Sequence, residues 1–248
     1  MSIERAASLF QESHHSVVLT GAGISTPSGI PDFRSAGSGL WQKHNPMEVA
    51  SLTTFRTRPE KFYEWFRPLS KLIVDAEPNP AHEALAKIEE SGYIQETITQ
   101  NIDGLHQRAG SNIVHEVHGT MNTLTCGKCF TKYDSDEFVQ SYIEEGCIPQ
   151  CKACSNILKP DVVFFEEQLP VETWHAAEKA INECDLLLVA GSSLEVVPVA
   201  HLPYIAVNRG AKLIIVNNTP TYIDSRADVV FNQDVVDVIP EISNVLIQ

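Results

Sequence analysis

Residues 16–34 read SVVLTGAGISTPSGIPDFR, and this stretch decides the fold. An apolar run, Val17, Val18 and Leu19, stops at Thr20 and gives way at once to Gly21-Ala22-Gly23. That is the pattern of a buried strand entering a glycine turn. Glycines there let the backbone take positive φ and let a ligand approach the main chain, and the amides that follow can point at an anion, phosphate above all. The dinucleotide fingerprint places a third glycine three residues after the second, where this chain has Thr26; Gly29 arrives three residues late. The loop is therefore not that of an ordinary dehydrogenase. GAG alone is a weak signal that also fits a plain strand-to-helix turn. What raises the nucleotide reading is the tail Ile30-Pro31-Asp32-Phe33-Arg34, which sets an aromatic ring and a guanidinium beside the expected phosphates.

Outward from this stretch, helical and strand patterns alternate. Ile3, Ala6, Ala7 and Phe10 share one helical face behind Ser2, and that helix leads into the strand 16–20. From 35 to 77, glycines and then Trp41, Phe55, Phe62, Tyr63, Trp65 and Phe66 lie among charged residues with no strand pattern, which reads as a loop followed by a small helical module. Asn79 caps and Pro80 opens a helix whose stripe is Ala81, Ala84, Leu85 and Ile88, ending at Gly92. Further strands are expected over 93–99, 113–117, 162–165, 186–190 and 212–216, with helices closed by Gly110 and over 171–182, 199–208 and 235–246. This rhythm describes an α/β fold, a Rossmann-like parallel sheet with helices on both faces, whose ligands collect beyond the carboxyl ends of the strands. Gly21-Ala22-Gly23, Gln100-Asn101-Ile102-Asp103, His118-Gly119, Gly191-Ser192-Ser193 and Asn217 each follow the last apolar residue of an expected strand. Together they describe one site.

With 248 residues, 43% of them hydrophobic, the chain can bury a large core, and a large domain with a small companion is expected. The formal net charge of −14 argues against direct nucleic-acid binding and for a basic protein or peptide partner. No cationic start precedes an apolar core at the beginning of the chain, and no run approaches the ~18 apolar residues of a membrane span. A cytoplasmic monomer without a membrane partner is expected.

Between two of the expected strands, Cys126-x2-Cys129 is followed after 21 residues by Cys151-x2-Cys154. Two such knuckles can place four thiolates tetrahedrally around one zinc ion, and four sulfurs leave no open position, so the site is structural. Paired disulfides or two redox CxxC motifs are the other readings. The ion would staple the insertion 122–157, which has few large apolar residues. Cys147 could compete as a ligand, and Cys184 reads as a buried small hydrophobe.

GAGISTPSGIPDFR at 21–34, TQNIDGLHQRAG at 99–110, EVHG at 116–119, the two CxxC pairs, KPDVVFF at 159–165, GSSL at 191–194 and IIVN at 214–217 resemble, in the same order, the sirtuins of prokaryotic type, the NAD-dependent protein deacylases. The resemblance implies a large NAD-binding domain over 1–34, 78–121 and 158–248, a cofactor-binding loop and helical module over 35–77, and a zinc module over 122–157. It implies that NAD is consumed as a co-substrate, that nicotinamide leaves, and that the acyl group of an acetyl-lysine-bearing protein or peptide ends on ADP-ribose. His118 matches the base for a ribose hydroxyl, a task suited to an imidazole with an ordinary pKa of about 6.5; without the family it would read as a satisfied core histidine. Asn101 matches the residue that orients ribose and water, and Asp103 with Ile102 matches those that hold the nicotinamide carboxamide, although an Asx turn would also explain them. Gly21, Ala22, Gly23, Ser25, Thr26, Arg34, Gln100, Gly191, Ser192, Ser193, Asn217, Asp234 and Val235 match cofactor contacts, and Phe33 matches the ring that shields the reactive ribose. Val162, Phe164 and Val196 match the lining of an acyl-lysine tunnel, the first two being equally readable as core.

Two positions depart from the family pattern. Glu166 stands where FFGE has its glycine, and Tyr63 is followed by Phe66 where relatives that take acidic acyl groups have Tyr-x-x-Arg, with Arg67 one residue late. Acetyl or other uncharged acyl groups are therefore expected over succinyl. Mono-ADP-ribosyl transfer from the same NAD site, and a non-catalytic NAD or ADP-ribose-binding module, are the alternatives. The second leaves Asn101, Asp103 and His118 together without a reason.

Overall fold

The computed structural model describes residues 2–32, 39 and 45–247. Phe33, Arg34 and most of the expected cofactor loop lie outside the described residues. In chain order, α1 (Ser2–Glu12) leads into β1 (Ser16–Thr20), and α2 (Pro46–Val49), α3 (Leu52–Thr57) and α4 (Pro59–Asp75) form the helical module. α5 (Pro80–Glu90), β2 (Glu96–Thr99), α6 (Leu105–Ala109) and β3 (Val114–Glu116) return to the sheet. β4 (Gly119–Cys126), β5 (Lys132–Asp134), α7 (Asp136–Glu145) and β6 (Leu158–Val162) build the cysteine-bearing module. α8 (Val171–Glu183), β7 (Leu186–Ala190), α9 (Leu202–Asn208), β8 (Lys212–Val216), β9 (Val229–Phe231) and α10 (Val235–Leu246) complete the large unit.

The main sheet has the order β3-β2-β1-β7-β8-β9, and every pair in it is parallel. Its central strands β1, β7 and β8 carry continuous rather than alternating apolar runs because both faces are covered. Val18, Leu188 and Ile214 face Phe10 of α1, Leu85 and Ile88 of α5, and Ile239 and Ile242 of α10. Val17, Leu19, Leu187, Val189, Leu213 and Ile215 face Ile181 of α8 and Leu202 and Ala206 of α9. A third core lies below the sheet's edge. There Phe62, Phe66, Leu69 and Ile73, one stripe of α4, pack on Leu105, Tyr142, Val162 and Phe164.

The strand order reverses between β1 and β7, so the crevice of this doubly wound sheet opens where the Gly21 and Gly191 turns emerge. The cap expected at Asn79 is present: its side chain accepts from Ala81 N, and His82 Nδ1 accepts from Asn79 N. The expected strand 162–165 is not in the main sheet. Its first residue ends β6, which pairs antiparallel with β4, and the chain beyond bridges instead to Ser51. The expected helix 199–208 opens as a 3-10 turn and becomes α-helical only at Leu202, since Pro203 has no N–H to give and fits only the first turn.

Under the β1 turn lie two buried histidines with rings 5.0 Å apart. Thr20 donates its hydroxyl proton to Thr99 Oγ1, so His106 bonds Thr20 through Nε2–H (2.9 Å) and carries a bare Nδ1. His82 accepts at Nδ1 and therefore holds its proton on Nε2. Burial drives His82 down to about 4 and, with His82 beside it, His106 down to about 3. Both stay neutral in the fold while the unfolded chain takes up protons below about pH 6.5. Stability from this pair is thus complete above pH 6.5 and lost as pH falls toward 4, by about 3 kcal/mol for His82 alone. Glu116, which burial pushes up to about 7, binds its proton more tightly in the fold and works in the opposite sense. Urea unfolding of the parent and of His82→Gln, which can keep the capping box, separates the two. The variant's stability should fall less between pH 7 and 4.5, and equal falls would refute the assignment.

Candidate active site and metal centre

The two glycine turns at the strand reversal are locked together. Gly23 N donates to Gly191 O (2.8 Å), Gly21 N to Ala190 O (3.3 Å) and Gly191 N to Val216 O (2.9 Å). A Cβ on Gly23 would stand 2.8 Å from Gly191 O, and one on Gly191 would stand 2.2 Å from Ile24 N. Gly21 is extended (φ −132°) rather than left-handed, so the positive φ expected of this turn is found at Gly191 (φ 62°) instead. Mutual close approach, not backbone handedness, is what requires Gly21 and Gly23.

From this floor a polar network runs along the strand ends. Asn101 Nδ2 donates to Gly21 O (3.1 Å) and Ser25 Oγ (3.0 Å), spending both amide protons on the β1 turn and leaving Oδ1 as the acceptor available to a ligand. Ser25 Oγ in turn donates to Asp103 Oδ2 (2.7 Å), whose Oδ1 caps α6 at Leu105 N (3.0 Å). Burial pushes the Asp103 carboxyl above its ordinary range, against the pull of those two bonds. Gln100 Nε2 donates to Ser192 Oγ (3.0 Å), joining the β2 and β7 ends. Thr26 Oγ1 closes the β1 turn on Gly23 O (3.0 Å).

His118 follows β3, and its Nδ1 lies 3.1 Å from Gln100 O. A carbonyl can only accept, so Nδ1 carries the proton and Nε2 is the basic nitrogen of the ring. A cavity of about 680 Å³ collects Ala22, Ser25, Gln100, Asn101, Ile102, Asp103 and His118 with Val162, Phe164 and Val196. Among the described residues, the expected contacts Gly21, Gly23, Thr26, Gly191, Ser192, Ser193, Asn217, Asp234 and Val235 do not line it. Ser193 is exposed on the β7 turn, Asn217 Nδ2 is turned onto Thr219 O (2.7 Å), Asp234 caps α10 at Val236 N (3.1 Å), and the Val235 side chain is in the core.

Sequence reasoning missed the residues that hold the apolar wall. Phe62, Trp65, Phe66 and Leu69 of α4 line the cavity, and their helical stripe was the available signal. Lys159 lies over the Phe164 ring (4.1 Å to its centre) and pairs with Glu167 (2.9 Å), while Glu167 Oε2 accepts from Phe164 N (2.8 Å). Charged residues in a surface-like stretch gave no sign of this.

The four cysteines meet at one point. Their sulfurs all lie within 4.8 Å of one another, with 3.5 Å between Cys126 and Cys154, 3.4 Å between Cys129 and Cys151, and 3.6 Å between Cys129 and Cys154. A tetrahedron with Zn–S of about 2.3 Å has edges of about 3.8 Å, so the residues fit that ion. Lys128 N and Cys129 N point at Cys126 Sγ, and Tyr133 Oη lies 3.3 Å from Cys151 Sγ, the outer partners a thiolate site needs. Cys147 is not in the group and sits by Glu145; Cys184 is buried.

A doubly wound sheet with a polar crevice at its reversal, an adjoining apolar channel and a four-thiolate insertion defines an enzyme-like nucleotide-binding α/β protein. The family model described as the Sir2 family matches residues 21–198, and the chain belongs to that family. It is 48% identical, over 97% of its own length and 94% of the relative's, to NAD-dependent protein deacylase 2 of Archaeoglobus fulgidus. A structure from work on the mechanism and regulation of Sir2 enzymes superposes with a TM-score of 0.92 at 46% identity, covering 99% of this chain and 97% of the other. A Sir2 variant bound to a deacetylated p53 peptide and 3'-O-acetyl ADP-ribose gives a TM-score of 0.92 at 40% identity, with 98% of each chain covered. No helix among the described residues is long and apolar enough to cross a membrane.

Proposed function

We propose that this chain is an NAD-dependent protein-lysine deacetylase that transfers the acyl group of acyl-lysine to ADP-ribose and releases nicotinamide. NAD, when bound, supplies the electrophilic ribose carbon that receives the acyl carbonyl oxygen as nicotinamide departs. The observation that carries the reading is His118: its proton is fixed on Nδ1 by a backbone carbonyl, which leaves Nε2 basic, and the residue lines the same cavity as Asn101, Asp103 and an apolar channel. His118 takes the proton of a ribose hydroxyl, Asn101 orients ribose and water through Oδ1, and Asp103 with Ile102 holds the carboxamide. Gly21, Ala22, Gly23, Ser25, Thr26, Gln100, Gly191 and Ser192 cradle the cofactor, while Val162, Phe164 and Val196 line the path of the acyl-lysine. Ser193, Asn217, Asp234 and Val235 serve the far end of the nucleotide. Cys126, Cys129, Cys151 and Cys154 hold one structural zinc ion. The division into 1–34, 78–121 and 158–248, 35–77, and 122–157 is supported by the distinct clusters of the sheet and of the cysteines, while the α4 cluster takes residues from all three units.

Incubation with NAD and an acetyl-lysine peptide should give deacetylated peptide and acetyl-ADP-ribose by mass spectrometry, with nicotinamide released only when both substrates are present. Label from NAD accumulating on a protein acceptor would instead establish ADP-ribosyl transfer, and binding without turnover a sensor.

The preference for uncharged acyl groups has a structural basis. Tyr63 Oη donates to Leu158 O (2.6 Å), and Arg67 donates to Ile143 O and Glu144 O, so neither group turns to the cavity. Phe66 stands in its wall. Among the described residues no lysine or arginine lines the cavity, and Lys159 behind Phe164 is already paired with Glu167, so burying a carboxylate there costs more than about 1.4 kcal/mol and so at least about tenfold. Acetyl-lysine should exceed succinyl-lysine by that factor in kcat/KM; faster succinyl removal would refute this account of the pocket.

A further inference from the structure

Segment 162–167 carries two of the proposed channel residues and is pinned on both sides. On one side, Glu167 pairs with Lys159, whose ammonium lies over the Phe164 ring. On the other, Phe165 N donates to Ala50 O (3.0 Å) and Leu52 N to Phe165 O (3.0 Å), stitching the segment to the start of α3. The next residue, Glu166, has φ of 73°, the left-handed region that glycine enters freely and residues with a Cβ avoid. Here the sirtuin pattern has glycine.

What Glu166 gains is visible at the same helix end. Its Oε2 accepts from Thr53 N (2.9 Å), a first-turn amide of α3 with no partner inside the helix. These contacts and nearby Arg56 hold its carboxyl below the ordinary range. The left-handed turn is closed by Glu167 N to Phe164 O (3.1 Å), and both glutamates line the cavity, Glu167 paired with Lys159 and Glu166 bound to Thr53 N. Two successive glutamates therefore brace the same segment through different neighbours.

We propose that Glu166 is a positioning residue for the acylated substrate: its carboxylate completes a three-bond stitch that fixes the channel wall bearing Val162 and Phe164 to the helical module. The inference rests on the deacetylase reading and deepens it. Strained residues persist where surrounding contacts over-determine them, and here the extra contact is one that glycine cannot make.

Steady-state kinetics of Glu166→Ala, Glu166→Gly and Glu166→Gln test it, each varied against acetyl-peptide and against NAD, with Tm measured alongside. Alanine and glycine should each raise the peptide KM by about threefold or more and leave kcat and the NAD KM unchanged, while glutamine, which keeps an acceptor oxygen, stays within about twofold of the parent. A glycine variant equal to the parent would show that backbone conformation alone matters and overturn the proposal. So would an unchanged peptide KM in the alanine variant, or an equal rise in both KM values. No turnover by the parent chain removes the deacetylase reading and this one with it; turnover with indifferent variants removes only this one.

Discussion

Replacing His118 by alanine should lower nicotinamide release by about 10²- to 10⁴-fold, the usual worth of a general base, while Tm stays close to that of the parent. The magnitude follows from the ring's arrangement. Its Nδ1 is committed to Gln100 O, so no tautomer other than the one with a basic Nε2 satisfies that bond. The side chain is only partly buried, so its truncation removes chemistry and leaves the core. Release within tenfold of the parent would sink the proposed role; among the described residues His175 of α8 is the one other histidine that lines the cavity. Measuring NAD binding by calorimetry in the same variant distinguishes a lost base from a lost site.

The second large effect concerns the cysteines. Cys151→Ser, or exhaustive chelation, should abolish zinc binding and deacetylation together. The apolar cluster of that module consists of Leu124, Cys126, Cys151 and Leu158, with Tyr133, Phe138 and Cys154 against it. Two of its four buried members are thus the ligands themselves, and without the ion little is left to bury. Structural zinc in small modules contributes about 10–16 kcal/mol of apparent binding energy, far more than this cluster supplies through area. Since β6 carries Val162 toward the channel, disorder there reaches the substrate wall. Ellipticity should fall only in proportion to the module, with cooperative unfolding of the main sheet retained. Full activity of the metal-free chain would overturn the structural assignment.

Reading the sequence worked best where burial is two-sided. Strands 16–20, 186–190 and 212–216 carry unbroken apolar runs, Val17–Leu19, Leu186–Ala190 and Leu213–Val216, and the structure places β1, β7 and β8 there. Asn79-Pro80 announces a helix start through chemistry local to four residues. Long-range causes were invisible. The three-residue β9 and the polar-rich β4 have no periodicity of their own and exist because β8 and β6 offer them partners. Lys159 and Glu167 look like solvent-facing charge until the fold pairs them against Phe164. In the site, the residues that cluster at strand ends were legible because a parallel sheet gathers such ends, whereas the reason for Gly21 and Gly23 was not, since it resides at Gly191, far along the chain.

That mutual contact limits how the enzyme can be re-engineered. Gly23 and Gly191 each occupy the space a methyl group would need on the other's turn, so neither can be diversified alone, and paired changes would have to move two central strands at once. Changes at the β8 and β9 ends meet a different constraint, since there Asn217 Nδ2 is held by Thr219 O and Asp234 caps α10 at Val236 N.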